Sequence, residues 1–141
     1  MYEDYTRQAL PDRNYRQLLG AALCVFNSNN SFVIENILNS DEKRLYNWFD
    51  LIDQTSGNLS QPIKNTITKK SGTQITNLFS CIIKKRNRII HSFQITDSDG
   101  KQILSTKDNQ GKQYHITENF LLEFIKENEK LSDLLYEFRG Y

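Results

Sequence analysis

Residues 73 to 93 read TQITNLFSCIIKKRNRIIHSF. At about 100° of rotation per residue, Ile75, Leu78, Phe79, Ile82, Ile89, Ile90 and Phe93 fall on one side of a helix, and Ser80, Lys84, Asn87, Arg88 and His91 on the other. A helical period sustained over this length predicts a long amphipathic helix, from about Thr73 to Phe93, with its apolar stripe toward a core. Asn87 and His91 are four residues apart and Arg88 and His91 three, so each pair shares a patch of helix surface. Arg86 falls instead among the apolar residues, beside Ile82 and Ile89. A guanidinium there needs a carboxylate, a ring of carbonyls or a phosphate in a cleft.

Three helical segments are expected before this one. From Pro11 to about Leu38, Tyr15, Leu19, Ala22, Phe26, Val33 and Ile37 recur at three- to four-residue intervals, with Pro11 suited to a first helical turn. NSNNS, residues 27 to 31, has poor helix propensity and allows a break. Without one, Asn29 and Asn30 lie on or beside the apolar stripe, where buried amides require partners. A second helix is expected from near Ser40, taking Leu45, Trp48, Phe49 and Ile52 inward and ending at TSGN, residues 55 to 58. Ser60-Gln-Pro opens a short third helix with Ile63 and Ile67 inward, and Ser71-Gly72 closes it.

After Phe93 the pattern changes to short strand-like runs, FQIT, KQILST and QYHIT, separated by DSDG and KDNQG. These predict a two- or three-stranded meander. Thr117 then caps a last helix whose Leu121, Phe124, Ile125, Leu131, Leu134, Leu135 and Phe138 form one broad apolar face. The expected fold class is mainly α: an antiparallel bundle of four to five helices with a small hairpin or meander before the last helix, residues 1–141 forming a single domain.

Composition narrows the function classes. The chain has 141 residues, of which 38% are hydrophobic and 25% charged, and no run approaches the roughly 18 apolar residues of a membrane span. Its N-terminus is acidic and polar, unlike a secretory signal, so a cytoplasmic protein without a membrane partner is expected. Cys24 and Cys81 have no neighbouring Cys or His cluster, so they read as buried or half-buried free thiols rather than a metal or disulfide pair. No metal and no cofactor is expected, since there is no Gly-rich phosphate loop, ligand constellation or nucleophile elbow. His115, in a strand-like run without convergent partners, reads as structural.

The net charge of +1 conceals a segregation. Residues 1–53 hold five basic and eight acidic side chains, and residues 97–141 hold six basic and nine acidic. Between them, residues 54–96 carry Lys64, Lys69, Lys70, Lys84, Lys85, Arg86 and Arg88 and no acid. Such a block is what a phosphate-binding surface needs, because attraction to nucleic acid depends on where charge sits. It is equally a solvated face whose acidic partners come from the flanking thirds.

Arg86-Asn87-Arg88-Ile89-Ile90-His91 resembles the motif of HEPN domains: Arg, a polar residue, three variable residues and His. HEPN domains are small helical bundles that include many metal-independent endoribonucleases of prokaryotic toxin, abortive-infection and CRISPR systems. The likeness in motif covers six residues near the end of a late helix, and the likeness in fold covers most of the chain. It implies that Arg86 contacts the scissile phosphate, that Asn87 orients or assists, and that His91 is the general acid/base. It also implies a homodimer with a composite site, RNA as substrate and an antitoxin or regulatory protein as a further partner. Lys84, Lys85 and Arg88 would add to the phosphate field, and Asn29 and Asn30 are candidates to support the motif from the first helix. Many family toxins carry Tyr two residues after the His, a target of antitoxin modification; here Phe93 stands there. The alternative is a non-catalytic HEPN-like module that binds RNA, a nucleotide or a protein through residues 64–91.

Overall fold

The computed structural model describes residues 2–140. Among them the chain is mainly helical, with a three-stranded antiparallel sheet inserted before the last helix. In order come α1 (Arg13–Asn39), α2 (Trp48–Asp53), a 3-10 turn (Ser56–Leu59), α3 (Ser60–Asn65), α4 (Ile67–Ser71), α5 (Gln74–Ile90), β1 (Phe93–Thr96), β2 (Gln102–Lys107), β3 (Gln113–Ile116) and α6 (Glu118–Arg139). No helix of the described residues is long and apolar enough to cross a membrane.

The core is built where α1, α5 and α6 meet. Phe26, Phe79 and Phe124, one from each helix, are fully buried, with the Phe26 ring centroid 6.3 Å from that of Phe79 and 6.4 Å from that of Phe124. Ile34, Ile37, Ile82, Leu121, Leu131 and Leu135 continue this interior. Of the periodic residues of α6, Leu121, Phe124, Leu131 and Leu135 are buried and Ile125, Leu134 and Phe138 half-buried, behind an N-cap in which the Thr117 hydroxyl accepts from the Phe120 N–H at 3.0 Å.

α1 is one continuous helix, so NSNNS does not break it. The amides that would have opposed burial are satisfied: Asn29 donates through Nδ2 to the Asn128 carbonyl at 2.7 Å and to its Oδ1 at 3.0 Å. The helix begins at Arg13, because the Asp12 carboxylate accepts from the Tyr15 N–H at 2.9 Å and serves as N-cap. Pro11 thus lies before the cap and not in the first turn.

The expected helix from Ser40 does not form as such. Ser40 is the C-cap of α1, and the Asp41 carboxylate accepts from the backbone of Leu45 at 3.1 Å and of Tyr46 at 2.8 Å, folding 41–46 into a loop with Arg44 at φ 52°. Asn47 caps the short α2 instead, and only Leu51 of that helix is buried. Leu45, Phe49 and Ile52 are exposed, Phe49 by 79%. A six-residue helix has too little surface to bury a full stripe. α3 and α4 divide the third segment at Thr66, whose hydroxyl donates to the Pro62 carbonyl at 2.7 Å, and both Ile63 and Ile67 are buried as expected.

α5 stops at Ile90, with His91 as its C-cap, three residues short of the expected end. The Ser92 hydroxyl donates to the Ile89 carbonyl at 2.6 Å, and Phe93 pairs with Ser105 in the sheet, which draws it off the helix. Of the anticipated stripe, Ile75, Phe79, Ile82 and Ile89 are buried, whereas Ile90 and Phe93 are 51% and 44% exposed. Cys24 and Cys81 are free but exposed, not buried.

The meander has three strands in the order β1-β2-β3, both pairs antiparallel. Its two turns share one chemistry: Asp97 accepts from the N–H groups of Asp99 and Lys101, and Asp108 from those of Gln110 and Lys112, all at 2.9 Å. Tyr15 fastens the sheet to α1. Its buried hydroxyl donates to the Ile116 carbonyl at 2.6 Å and accepts from the Leu104 N–H at 3.2 Å.

Candidate functional site

The polar face of α5 and the β2–β3 hairpin border an open cleft of about 360 Å³. Lys84, Lys85, Asn87 and Arg88 line it from the helix, and Asp108, Asn109 and Tyr114 from the hairpin. The Arg88 guanidinium donates to the Lys107 carbonyl, which holds the β2–β3 turn against the helix. Lys85 is paired with Glu127 of α6. Lys84 is exposed, with no carboxylate within 4.0 Å among the described residues.

His91 sits one turn beyond this wall. Its backbone N–H donates to the Asn87 carbonyl at 2.9 Å, and its side chain is exposed at the C-terminal end of α5. Lys84, Asn87, Arg88 and His91 therefore succeed one another at intervals of three and one residues along one side of the helix, as the periodicity predicted. The carbonyl pole of α5 favours positive charge at this end.

Arg86 is placed elsewhere. Its guanidinium carbon stands 4.9 Å from the centroid of the Phe26 ring, and the side chain is half-buried. Among the described residues it has no carboxylate partner, and its Nε lacks any hydrogen-bond acceptor. Burial lowers its pKa from the ordinary arginine value. Within the chain, the group that faces this inward guanidinium is an aromatic ring. Five residues along an α-helix span roughly 140° of rotation, so Arg86 and His91 leave α5 on different sides.

Asn29 and Asn30 are hydrogen-bonded to residues outside the motif, Asn29 to Asn128 and Asn30 as acceptor for the Ser56 hydroxyl at 2.6 Å. The basic block is not one surface either. Lys69 and Lys70 line a different cleft with Asp41, Glu42 and Lys43, and Lys70 lies 3.3 Å from Glu42. The flanking acidic thirds thus pair with Lys70 and Lys85, while Lys64, Lys69, Lys84, Arg86 and Arg88 have no carboxylate within 4.0 Å among the described residues.

Asp108, Asn109 and Tyr114 were not singled out by sequence reasoning. KDNQG and QYHIT announce a turn and a strand, but nothing in them says that the hairpin folds back on α5. Comparison of the chain with known protein families, with curated proteins and with solved structures finds no match.

Proposed function

We propose that this chain is a HEPN-like, metal-independent endoribonuclease of defence or stress-toxin type, its helices forming an antiparallel bundle and its active form a homodimer. The observation that carries the reading is the face of α5. Lys84, Asn87, Arg88 and the exposed His91 lie together there, and neither Lys84 nor Arg88 has a carboxylate within 4.0 Å among the described residues.

In this reading the 2′-hydroxyl of RNA attacks the adjacent phosphorus and the 5′-oxygen of the next nucleotide leaves, giving a 2′,3′-cyclic phosphate and a 5′-hydroxyl. The His91 imidazole moves the proton at one of those oxygens, and cations steady the charge that gathers on the phosphoryl oxygens. Arg86 is the second cation. In a composite site Arg86 and His91 of the same chain do not need to meet, since each can act with its counterpart from the second copy. The exposed Ile90 and Phe93 on either side of His91 offer apolar surface for that contact.

Purified wild type and His91→Ala, incubated with total RNA in EDTA, test the reading. The expected result is cyclic-phosphate ends from wild type and a rate about 10²- to 10⁴-fold lower in the variant with RNA binding retained. Absence of cleavage by both overturns it.

The lodging of Arg86 over Phe26 favours a second reading, a non-catalytic module that binds RNA through the same face. It predicts no cleavage by either protein and loss of RNA affinity when Lys84 and Arg88 are neutralised.

A further inference from the structure

The hairpin brings to the α5 cleft what a purely electrostatic surface does not need. Tyr114 is half-buried in its wall, its ring 6.2 Å from that of Phe120 and tilted by 47°, so packing fixes how the ring is presented. Asn109 is exposed on the turn, an amide with both donor and acceptor. Across from them stand the Lys84 ammonium and the Asn87 amide. Asp108 also lines the cleft, but one of its oxygens serves the backbone N–H groups of Gln110 and Lys112.

A phosphate alone uses cations and amides. An aromatic ring beside an exposed amide is the pairing that recognises an unpaired base, by stacking and by hydrogen bonds to its edge. The volume of about 360 Å³ is at the small end of ligand sites, which run from about 300 to 1,000 Å³, and suits one nucleotide. The turn is also held in place: Arg88 ties Lys107 to α5, and Asp108 ties the turn to itself.

We propose that the cleft between α5 and the β2–β3 turn is a subsite for one unpaired nucleotide. The base lies against Tyr114, Asn109 reads its edge, and Lys84 and Asn87 hold its phosphate. The inference rests on the reading of the chain as an RNA-acting protein and adds to it a base-selecting element outside the Arg86–His91 motif. His91, one turn from Asn87 along the same helix face, is placed to act on a phosphate adjoining the bound nucleotide.

The test titrates AMP, GMP, CMP and UMP separately into the full chain and follows backbone and side-chain amide resonances. Saturable shifts are expected at Lys84, Asn87, Asn109 and Tyr114, with unequal affinities for the four bases. Tyr114→Leu should weaken binding about tenfold. Asn109→Ala, at an exposed turn position that leaves folding intact, should level the base preference. If the nucleotides leave these resonances unmoved while RNA is bound or cleaved, the subsite is wrong and the RNA reading stands. If they bind as described while RNA is neither bound nor cleaved, the RNA reading fails and the cleft remains a nucleotide site. Equal shifts from inorganic phosphate would remove the base-reading role, and no response to any probe would remove the site altogether.

Discussion

The Arg86 guanidinium lies over the Phe26 ring, 4.9 Å from its centroid, and among the described residues its Nε has no acceptor and no carboxylate stands beside it. A cation in that position gains about 0.5–2 kcal/mol from the ring and loses about 1–3 kcal/mol through a buried unsatisfied donor. The two effects are of similar size, so the residue adds little to stability. Arg86→Met should therefore leave the unfolding free energy in urea unchanged to within about 1 kcal/mol, or raise it, while removing RNA cleavage. A destabilisation beyond about 2 kcal/mol would make Arg86 a structural residue and weaken its assignment to the phosphate.

Asn29 and Asn128 form a buried amide contact between α1 and α6. Asn29→Ala leaves the Asn128 carbonyl and Oδ1 without that donor and should cost about 1–3 kcal/mol. In a double-mutant cycle with Asn128→Ala the two losses should be less than additive, because both single changes remove the Nδ2–Oδ1 bond, although the bond from Asn29 to the Asn128 main-chain carbonyl survives Asn128→Ala. Cleavage per folded molecule should be unaltered. A drop in activity without a drop in stability would make Asn29 a support of the motif.

Tyr15→Phe removes one oxygen and strands two backbone groups, the Ile116 carbonyl and the Leu104 N–H. The expected cost is again about 1–3 kcal/mol, read as a lower denaturation midpoint. Because those groups belong to β2 and β3, hydrogen exchange should accelerate first at Leu104, before the helices respond. Burial holds the Tyr15 hydroxyl above the ordinary tyrosine pKa, so the phenolate does not compete with this role near neutrality.

Glu3 accepts from Arg13 at 3.2 Å and from Arg16 at 2.8 Å, and these hydrogen bonds lower its pKa below the ordinary carboxylate value. A depressed carboxylate contributes stability that is present above its unfolded pKa and lost as pH falls through the folded one. Acidification from pH 5 downward should therefore loosen the N-terminal segment from α1, seen as faster exchange at the Thr6 amide, whose own bond to the Glu3 carbonyl is 3.4 Å. Glu3→Gln should show the loosened exchange already at neutral pH and abolish the pH dependence in that window. An unchanged acid profile in the variant would assign the effect to other carboxylates.

Much of this fold is readable in the residues. The stripes of α1, α5 and α6, the strand and turn alternation of 93–116 and the Thr117 cap depend on neighbours two to four positions away, so local pattern suffices. The misread elements are those where a side chain or a strand partner took up the backbone. Asp41 captured two backbone N–H groups and turned an expected helix start into a loop, and pairing with Ser105 pulled Phe93 from the end of α5. The continuity of α1 through NSNNS hinged on Asn128, ninety-nine residues beyond Asn29.

The sequence by itself determined that α5 is amphipathic, that one side of it carries Lys84, Asn87, Arg88 and His91, and that the cations of 54–96 have no acid among them, because these are consequences of order along the chain. Only the tertiary structure decided which cations are occupied, where Arg86 lodges and what stands opposite the helix. Glu127, Phe26, Lys107, Asn109 and Tyr114 are distant in sequence, and their approach to α5 follows from the packing of α6, α1 and the hairpin around a shared core rather than from any local preference.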